Sequence, residues 1–220
     1  MEDKLKELYE KRFEGELRQK NNIWKILCSS FFQKYIDLND IVLDIGAGYC
    51  EFINNINCSK KYAVDLNQDI LNFADSDVQV HICTSTSISP ISDSSIDTIF
   101  MSNFLEHLKS KEDVLTTLME IYRVLKSEGK VMILQPNIKY AYKEYWDFFD
   151  HYIPLSDKSL VEALQIAGLT IELVVSKFLP FSTKSRIPQN DLFIKTYLKL
   201  PVIWKVMGKQ MFIIATKVKT

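Results

Sequence analysis

Residues 42–48, Val-Leu-Asp-Ile-Gly-Ala-Gly, constrain the fold more than any other stretch of this chain. An apolar run carries an acid, Asp44, and leads into two glycines, Gly46 and Gly48, at G-x-G spacing. A helix-like segment follows, and a second strand-like run ends in another acid, Asp65. The pattern describes a strand, a tight glycine turn and a second strand. Glycines let the backbone turn sharply and come close to a ligand. An acid at the end of the second strand can accept hydrogen bonds from a ribose diol, so the spacing points to a ligand that carries adenosine. A dinucleotide would ask for a third glycine at position 51. Glu51 stands there instead, and its charge would repel a pyrophosphate. No G-x-x-x-x-G-K-[ST] string offers a triphosphate loop either. Asp44 and Glu51 suit a cationic ligand with an amino-acid tail. S-adenosylmethionine, with a sulfonium, an ammonium and a ribose diol, is such a ligand.

Further motifs follow in order. Tyr62-Ala-Val-Asp-Leu-Asn67 forms the second strand and its acid, and Ser94-Ser-Ile-Asp-Thr-Ile-Phe-Met-Ser-Asn-Phe-Leu-Glu-His-Leu108 forms a later strand and loop. Arg123-Val-Leu-Lys-Ser-Glu-Gly-Lys-Val131 leads into another strand. With Val42–Phe52 these segments resemble the ordered motifs of the class I S-adenosylmethionine-dependent methyltransferases, over about residues 40–135. The fuller string Gly-Ala-Gly-Tyr-Cys-Glu-Phe-Ile-Asn-Asn, with Tyr-Trp-Asp-Phe-Phe-Asp-His later, is similar to a bacterial subgroup found among surface-glycan enzymes. The resemblance implies an α/β fold: a Rossmann-like, mostly parallel seven-stranded sheet with helices on both faces and an N-terminal helical cap. It also implies S-adenosylmethionine as cofactor and methyl transfer as activity.

The periodicity agrees with alternating strands and helices, which argue a parallel sheet with right-handed crossovers. Strands are expected at about 41–45, 61–65, 78–82, 97–102 and 130–134, with Ile171–Ser176 and Met211–Thr216 completing the sheet. Helices are expected from Tyr49, near Gln68, over about 111–126 behind a Ser110-x-x-Asp113 cap, and from Ser156 to about Ala167. Leu5, Leu8, Tyr9, Phe13 and Leu17, then Trp24, Leu27, Phe31 and Tyr35, mark one or two amphipathic helices ahead of the first strand. No Pro/Gly/Ser-rich linker divides the 220 residues. We read one domain: a helical cap over 1–38, a cofactor core over 40–135 and an acceptor-side segment over 136–220.

Composition narrows the partners. A net charge of −1 gives no general attraction to nucleic acid. Four cysteines without a C-x-x-C pair read as reduced cytosolic thiols, and three scattered histidines supply no metal-ligand spacing, so no metal is expected. The chain opens on charged residues rather than a signal peptide, and no apolar run reaches membrane-spanning length. A cytoplasmic location follows. Residues 177–210 carry seven Lys or Arg among apolar residues, Lys184 and Arg186 included. A helix there, over about 190–209, packs as a lid in preference to lying on an anionic membrane.

On the resemblance, Gly46 and Gly48 pass under the cofactor's methionine moiety, Asp44 and Glu51 sit near its ammonium or order the loop, and Asp65 holds the ribose. Leu66, Ser85, Thr86 and Asn103 complete the cofactor set. Ser85 stands where many relatives carry an acid for adenine, and a hydroxyl can still accept from the adenine amino group. For catalysis the candidates are His107, which can act as a general base near neutral pH or fix its loop, and Asp150 and His151. Seven of the thirteen residues from Tyr140 to Tyr152 are aromatic, interleaved with Glu144, Asp147 and Asp150. That belt suits either stacking on a sugar ring or ordinary core. The expected activity is O-methylation of a small or saccharide-type acceptor. The alternatives are a catalytically inactive S-adenosylmethionine-binding protein and a methyltransferase acting on protein or RNA.

Overall fold

In the computed structural model, residues 17–181 and 191–219 are described. Helix α1 (Leu17–Ser30) leads through a short turn to β1 (Ile41–Ile45), and β2 (Lys60–Asp65) and β3 (Val78–Ile82) follow. Next come β4 (Ile96–Ser102), α2 (Lys111–Val124), β5 (Leu125–Pro136) and the single turn α3 (Ile138–Ala141). The chain then runs through α4 (Asp157–Ile166), β6 (Thr170–Val175), α5 (Asp191–Lys199), α6 (Pro201–Met207) and β7 (Gln210–Thr216). The seven strands make one sheet in the order β3-β2-β1-β4-β5-β7-β6. Only β7 is antiparallel to its neighbours, β5 and β6. The strand order reverses between β1 and β4, and in open α/β sheets that is where ligands bind, off the carboxyl ends of the strands.

The side-chain period of two sorts β1 between two cores. Leu43 and Ile45 face one side, where Val114, Leu118 and Ile121 of α2 and Leu160 and Leu164 of α4 pack. Val42 faces the other side with Ile26, Leu27 and Cys28 of α1. This second core is aromatic: Phe31, Phe32, Phe52, Phe100, Phe178 and Phe212 all lie within it, and the Phe52 and Phe100 rings stack at 3.7 Å between centroids. Asp44 shares the face of Val42, so the alternation carries its carboxylate into the α1 side of the sheet.

Helix α2 starts where Ser110 Oγ accepts from the Asp113 N–H at 3.0 Å, with Glu112 and Asp113 favourably placed in the first turn. Helix α4 starts on a Ser156–Ser159 capping box, and Gly168, at φ +89°, ends it. Helix α5 packs against α1, and Asn22 Nδ2 donates to Asp191 Oδ1 at 3.0 Å across that contact. Tyr197 and Leu198 of α5 are buried in the aromatic core, while Leu192, Val202 and Val206 are exposed. No helix of the described residues is long and apolar enough to cross a membrane. The expected helical stripe at Leu5–Phe13 lies outside the described residues, as do Lys184 and Arg186.

Two expectations change. Residues from Tyr49 onward do not form an α-helix: the chain turns and makes only a short 3-10 turn at Ile53–Asn55. Cys50 sits at φ +59°, a left-handed conformation that interrupts a helix. Asn54 then bonds to Phe73 and Asp75, and Asn55 Nδ2 to the Glu51 carbonyl, drawing the backbone away from helical pairing. Strand β5 begins at Leu125 rather than Lys130. Leu125 already pairs with Ile96, and the chain then bulges before Lys130 pairs with Thr98. At that bulge Glu128 adopts φ +65°, which costs a non-glycine residue about 1–2 kcal/mol. Glycine avoids the strain and gives back part of the gain in chain entropy. Glu128→Gly is therefore expected to stabilise the fold by about 0.5–1 kcal/mol, measured as a rise in urea midpoint at unchanged slope.

Candidate functional site

The glycine turn is latched to the end of β2. The Gly46 and Ala47 N–H groups donate to the Val64 carbonyl at 2.8 and 3.3 Å, and the Gly48 N–H donates to Asp65 Oδ2 at 2.9 Å. The other oxygen of Asp65 accepts from the Asn67 N–H at 2.8 Å. Both glycines take left-handed φ values, +67° and +52°. They differ in what surrounds them. A Cβ on Gly46 would run into the Phe104 ring at 2.2 Å, whereas one on Gly48 would meet nothing within 4 Å. Gly46 is required by packing, and Gly48 borders open space.

Three acids converge beneath this turn. Asp44 is buried and accepts from the Ile53 N–H. Desolvation, then the charges of Glu51 and Asp65, push its carboxyl well above the ordinary value. Glu51 is mostly buried and lies 2.8 Å from the Lys20 ammonium of α1. Such a crevice repels phosphates and suits a cation, the property expected of a site for a sulfonium amino acid. Asp44→Asn keeps the shape and the acceptor for Ile53 but cannot ionise. In the wild type the folded state keeps a proton that the unfolded chain has already released once pH passes 3.8. Stability therefore falls as pH rises from there through Asp44's raised value, and levels off above it. The Asn variant is expected to lack this fall, to be more stable than wild type near neutral pH and to bind a cationic cofactor less tightly, as followed by melting between about pH 4 and pH 8.

The remaining cofactor candidates divide. Leu66 is 66% exposed next to Asp65, and Asn103 is exposed at φ +48°, its N–H bonded to the Leu134 carbonyl at the end of β5. Ser85 is turned inward: its hydroxyl bonds Thr117 of α2 at 2.8 Å and is buried, so it is not presented to an adenine. Thr86 pairs with Thr84 at 3.1 Å on the more open side of this loop.

Off the ends of β4 and β5 lies a second group. His107 Nδ1 is 2.9 Å from the Asp150 carbonyl oxygen and 3.4 Å from its carboxylate. His151 Nδ1 is 2.9 Å from the Tyr145 carbonyl, and the two imidazoles cross at 5.1 Å. His107, Asp150 and His151 thus meet, although Asp150 and His151 diverge along the chain. Two backbone bonds pin the segment: the Tyr152 and Ile153 N–H groups both donate to the Glu106 carbonyl, at 2.7 and 3.2 Å. Glu106 was missed in the sequence. It is fully buried, burial raises its carboxyl pKa, and Gln135 Nε2 of β5 donates to it at 2.6 Å. The aromatic belt splits as well. Tyr145 is core, its hydroxyl bonded to the Ile153 carbonyl, while Tyr142, Trp146, Phe149 and Tyr152 are exposed.

Two motif residues are structural. Asp97 accepts from the Ile41 N–H at 2.9 Å and pairs with Lys126, tying the starts of β1 and β4 together at the end away from the crevice. Arg123 bonds Glu120, Asp93 and the carbonyls of Ile88 and Ile91, bracing the loop before β4.

Residues 43–133 match the family model described as a methyltransferase domain. No curated protein matches the chain. Solved structures do. An S-adenosylmethionine-dependent methyltransferase from Archaeoglobus fulgidus aligns with TM-score 0.68 and 21% identity over 96% of this chain and 98% of its own. One from Methanosarcina mazei aligns with TM-score 0.62 and 18% identity over 86% and 97%. Geranyl diphosphate C-methyltransferase from Streptomyces coelicolor A3(2), solved with Mg2+, geranyl diphosphate and S-adenosyl-L-homocysteine, aligns with TM-score 0.62 and 15% identity over 86% and 77%. The matched segment runs from β1 to β5 and so contains the glycine turn, its acids and the strand-order reversal, and with the solved structures it supports an S-adenosylmethionine-dependent methyltransferase.

Proposed function

We propose that the enzyme methylates a hydroxyl of a small, saccharide-type acceptor bound off the carboxyl ends of β4 and β5. In this reading Asp65 holds the ribose of the cofactor, Gly46 and Gly48 form the floor beneath its amino-acid portion, and Leu66 covers the adenine. Glu51 supplies negative charge near its cationic groups, Asp44 gives up its proton as those groups bind, and Asn103 and Thr86 border the site. Bound there, the cofactor supplies an electrophilic methyl: an O–CH3 bond forms as the S–CH3 bond breaks and its electron pair returns to sulfur. The protein's part is to align the acceptor oxygen and exclude water, which can provide much of the rate. His107, oriented by Asp150, is placed to take a hydroxyl proton, with His151 beside it. A cytoplasmic location belongs to the same reading.

The observation that carries the acceptor class is the segment after β5. Tyr142, Trp146, Phe149 and Tyr152 expose apolar faces there, although burial is the usual fate of such residues, and Asp147 and Asp150 stand among them. Aromatic faces with carboxylates can stack on a sugar ring while accepting from its hydroxyls. The test is incubation with cofactor labelled in its methyl group and a cell extract divided into small-molecule and glycan, protein and nucleic-acid fractions. Label is expected in the first fraction, sensitive to periodate. Label confined to protein or nucleic acid would overturn the proposal.

A further inference from the structure

Among the described residues, Glu106, His107 and His151 each bring one ligand-capable atom within 4.8 Å of the other two. Their positions in sequence concealed this. Glu106 and His107 lie on the turn after β4, and His151 lies in the loop after β5. The two loops meet because β4 and β5 are neighbours in the sheet and because Tyr152 and Ile153 are bonded to the Glu106 carbonyl.

The orientation of both rings is set by backbone. Each Nδ1 faces a carbonyl oxygen, of Asp150 for His107 and of Tyr145 for His151. A carbonyl only accepts, so Nδ1 carries the proton in each case and the lone pair of the neutral ring is on Nε2. Metal-bound histidines are held in this manner, with the second nitrogen donating to a carbonyl or carboxylate that fixes tautomer and rotation. Glu106 adds an anionic oxygen in a fully buried place, where a carboxylate calls for a cation or strong donors. Its side-chain partner is the neutral amide of Gln135. The other end of that amide, Gln135 Oε1, is buried and accepts no hydrogen bond. A buried acceptor without a protein donor beside a carboxylate is compatible with a bound water or ion.

We propose that Glu106, His107 and His151 form a binding site for one divalent first-row transition-metal ion of the zinc, manganese or iron(II) class. Two imidazoles favour these over magnesium or calcium, which take oxygen ligands. Two nitrogens and one carboxylate leave coordination positions open, and a water in one of them would donate to Gln135 Oε1. Ligands about 2.1 Å from a tetrahedral ion lie about 3.4 Å apart, so no pair has to close by more than about 1.4 Å on binding, a movement within side-chain rotation. On the methyltransferase reading above, on which this consequence alone rests, the ion sits on the acceptor side. There it orients a coordinated hydroxyl and lowers its pKa; with the His107 lone pair bound to the metal, the ion takes the place of the imidazole base, and the released proton leaves to water.

The test uses the full chain after chelator treatment, titrated with Co2+ by visible absorption and with Zn2+ by calorimetry. S-adenosylmethionine is titrated into the same samples. One equivalent of metal is expected. His107→Gln and His151→Gln should each weaken it by at least about 10-fold, and His81→Gln, outside the cluster, should leave it unchanged. Cofactor affinity should move by less than about 3-fold in all three, well below one tenfold step. Glu106→Gln is a further variant, but it alters a buried group, so the two histidine variants carry the result if it does not fold. Absence of saturable metal binding, or binding that His107→Gln and His151→Gln leave intact, overturns the site. Loss of cofactor binding with metal binding retained would count against the methyltransferase reading and leave the metal site standing.

Discussion

Asp65→Ala is expected to weaken S-adenosylmethionine binding by about 100-fold or more, roughly 2.7 kcal/mol. The carboxylate has about four acceptor positions, and the protein uses two of them, for the N–H groups of Gly48 and Asn67. The other two remain for a ribose diol, and each hydrogen bond to a charged group contributes about 1.5–3 kcal/mol. Removing the side chain also frees the Gly48 turn, so the binding floor loses its shape together with its acceptor. Asp65→Asn separates these effects. An amide oxygen can still accept from Gly48, so the turn should persist while affinity falls by about 10-fold for the lost charge. Calorimetric titration with the cofactor, with NAD as the comparison ligand, measures both. Equal affinity in wild type and the Ala variant would remove Asp65 from the cofactor site.

The second large effect concerns stability. Phe32→Ala should cost about 3–5 kcal/mol, a substantial part of the 5–15 kcal/mol typical of a domain. Phe32 has no exposed surface and meets the rings of Trp24, Phe31, Phe52, Phe100, Phe178 and Phe212. Those partners come from α1, the turn that follows it, the loop after the glycine turn, β4, the segment after β6, and β7. No one of them can collapse into the space without disturbing the others, so the cavity term stays close to its full value. Phe149→Ala makes the contrast, since Phe149 is 83% exposed and its loss should stay within about 0.5 kcal/mol. Urea denaturation of the two variants against wild type measures the difference. Similar midpoints for both would mean that the aromatic core is not as closely packed as described.

Local patterns made the sheet legible in sequence. Residues 41–45, 78–82 and 211–216 read as strands because buried or alternating apolar side chains recur at a period of two, and Ser110 and Ser156 read as helix starts because a hydroxyl there satisfies a free N–H. The stretch after Gly48 departs from its helical reading because residues 49–57 keep apolar spacing while Cys50 takes a left-handed φ, the side chains of Asn54 and Asn55 bond backbone groups, and the Asn57 N–H donates to Gln33 Oε1. That outcome depends on Phe73, Asp75 and Gln33, which lie elsewhere in the chain. For the site, Gly46, Gly48 and Asp65 were legible because turn and strand end are coupled through a fixed spacing. Ser85 was placed by analogy of position, and only its contact with Thr117 shows which way the hydroxyl turns. Glu106 with His107 and His151 was hidden altogether: it depends on β4 lying beside β5, a fact of topology that no local spacing encodes.

The position of β7 has a consequence for how the chain comes into being. Of the seven strands among the described residues it is the last in chain order, yet it is inserted between β5 and β6, antiparallel to both, with six of its seven residues buried. A nascent chain that has emerged only as far as Gly208 presents β5 with an open edge of buried-type residues and leaves β6 without a partner. An open, apolar strand edge pairs readily with other chains. The interval between the emergence of β5 and that of β7 is therefore when the polypeptide is most prone to aggregate. A ribosome stalled in that interval would hold a species that recruits chaperones, although the finished protein buries every surface responsible.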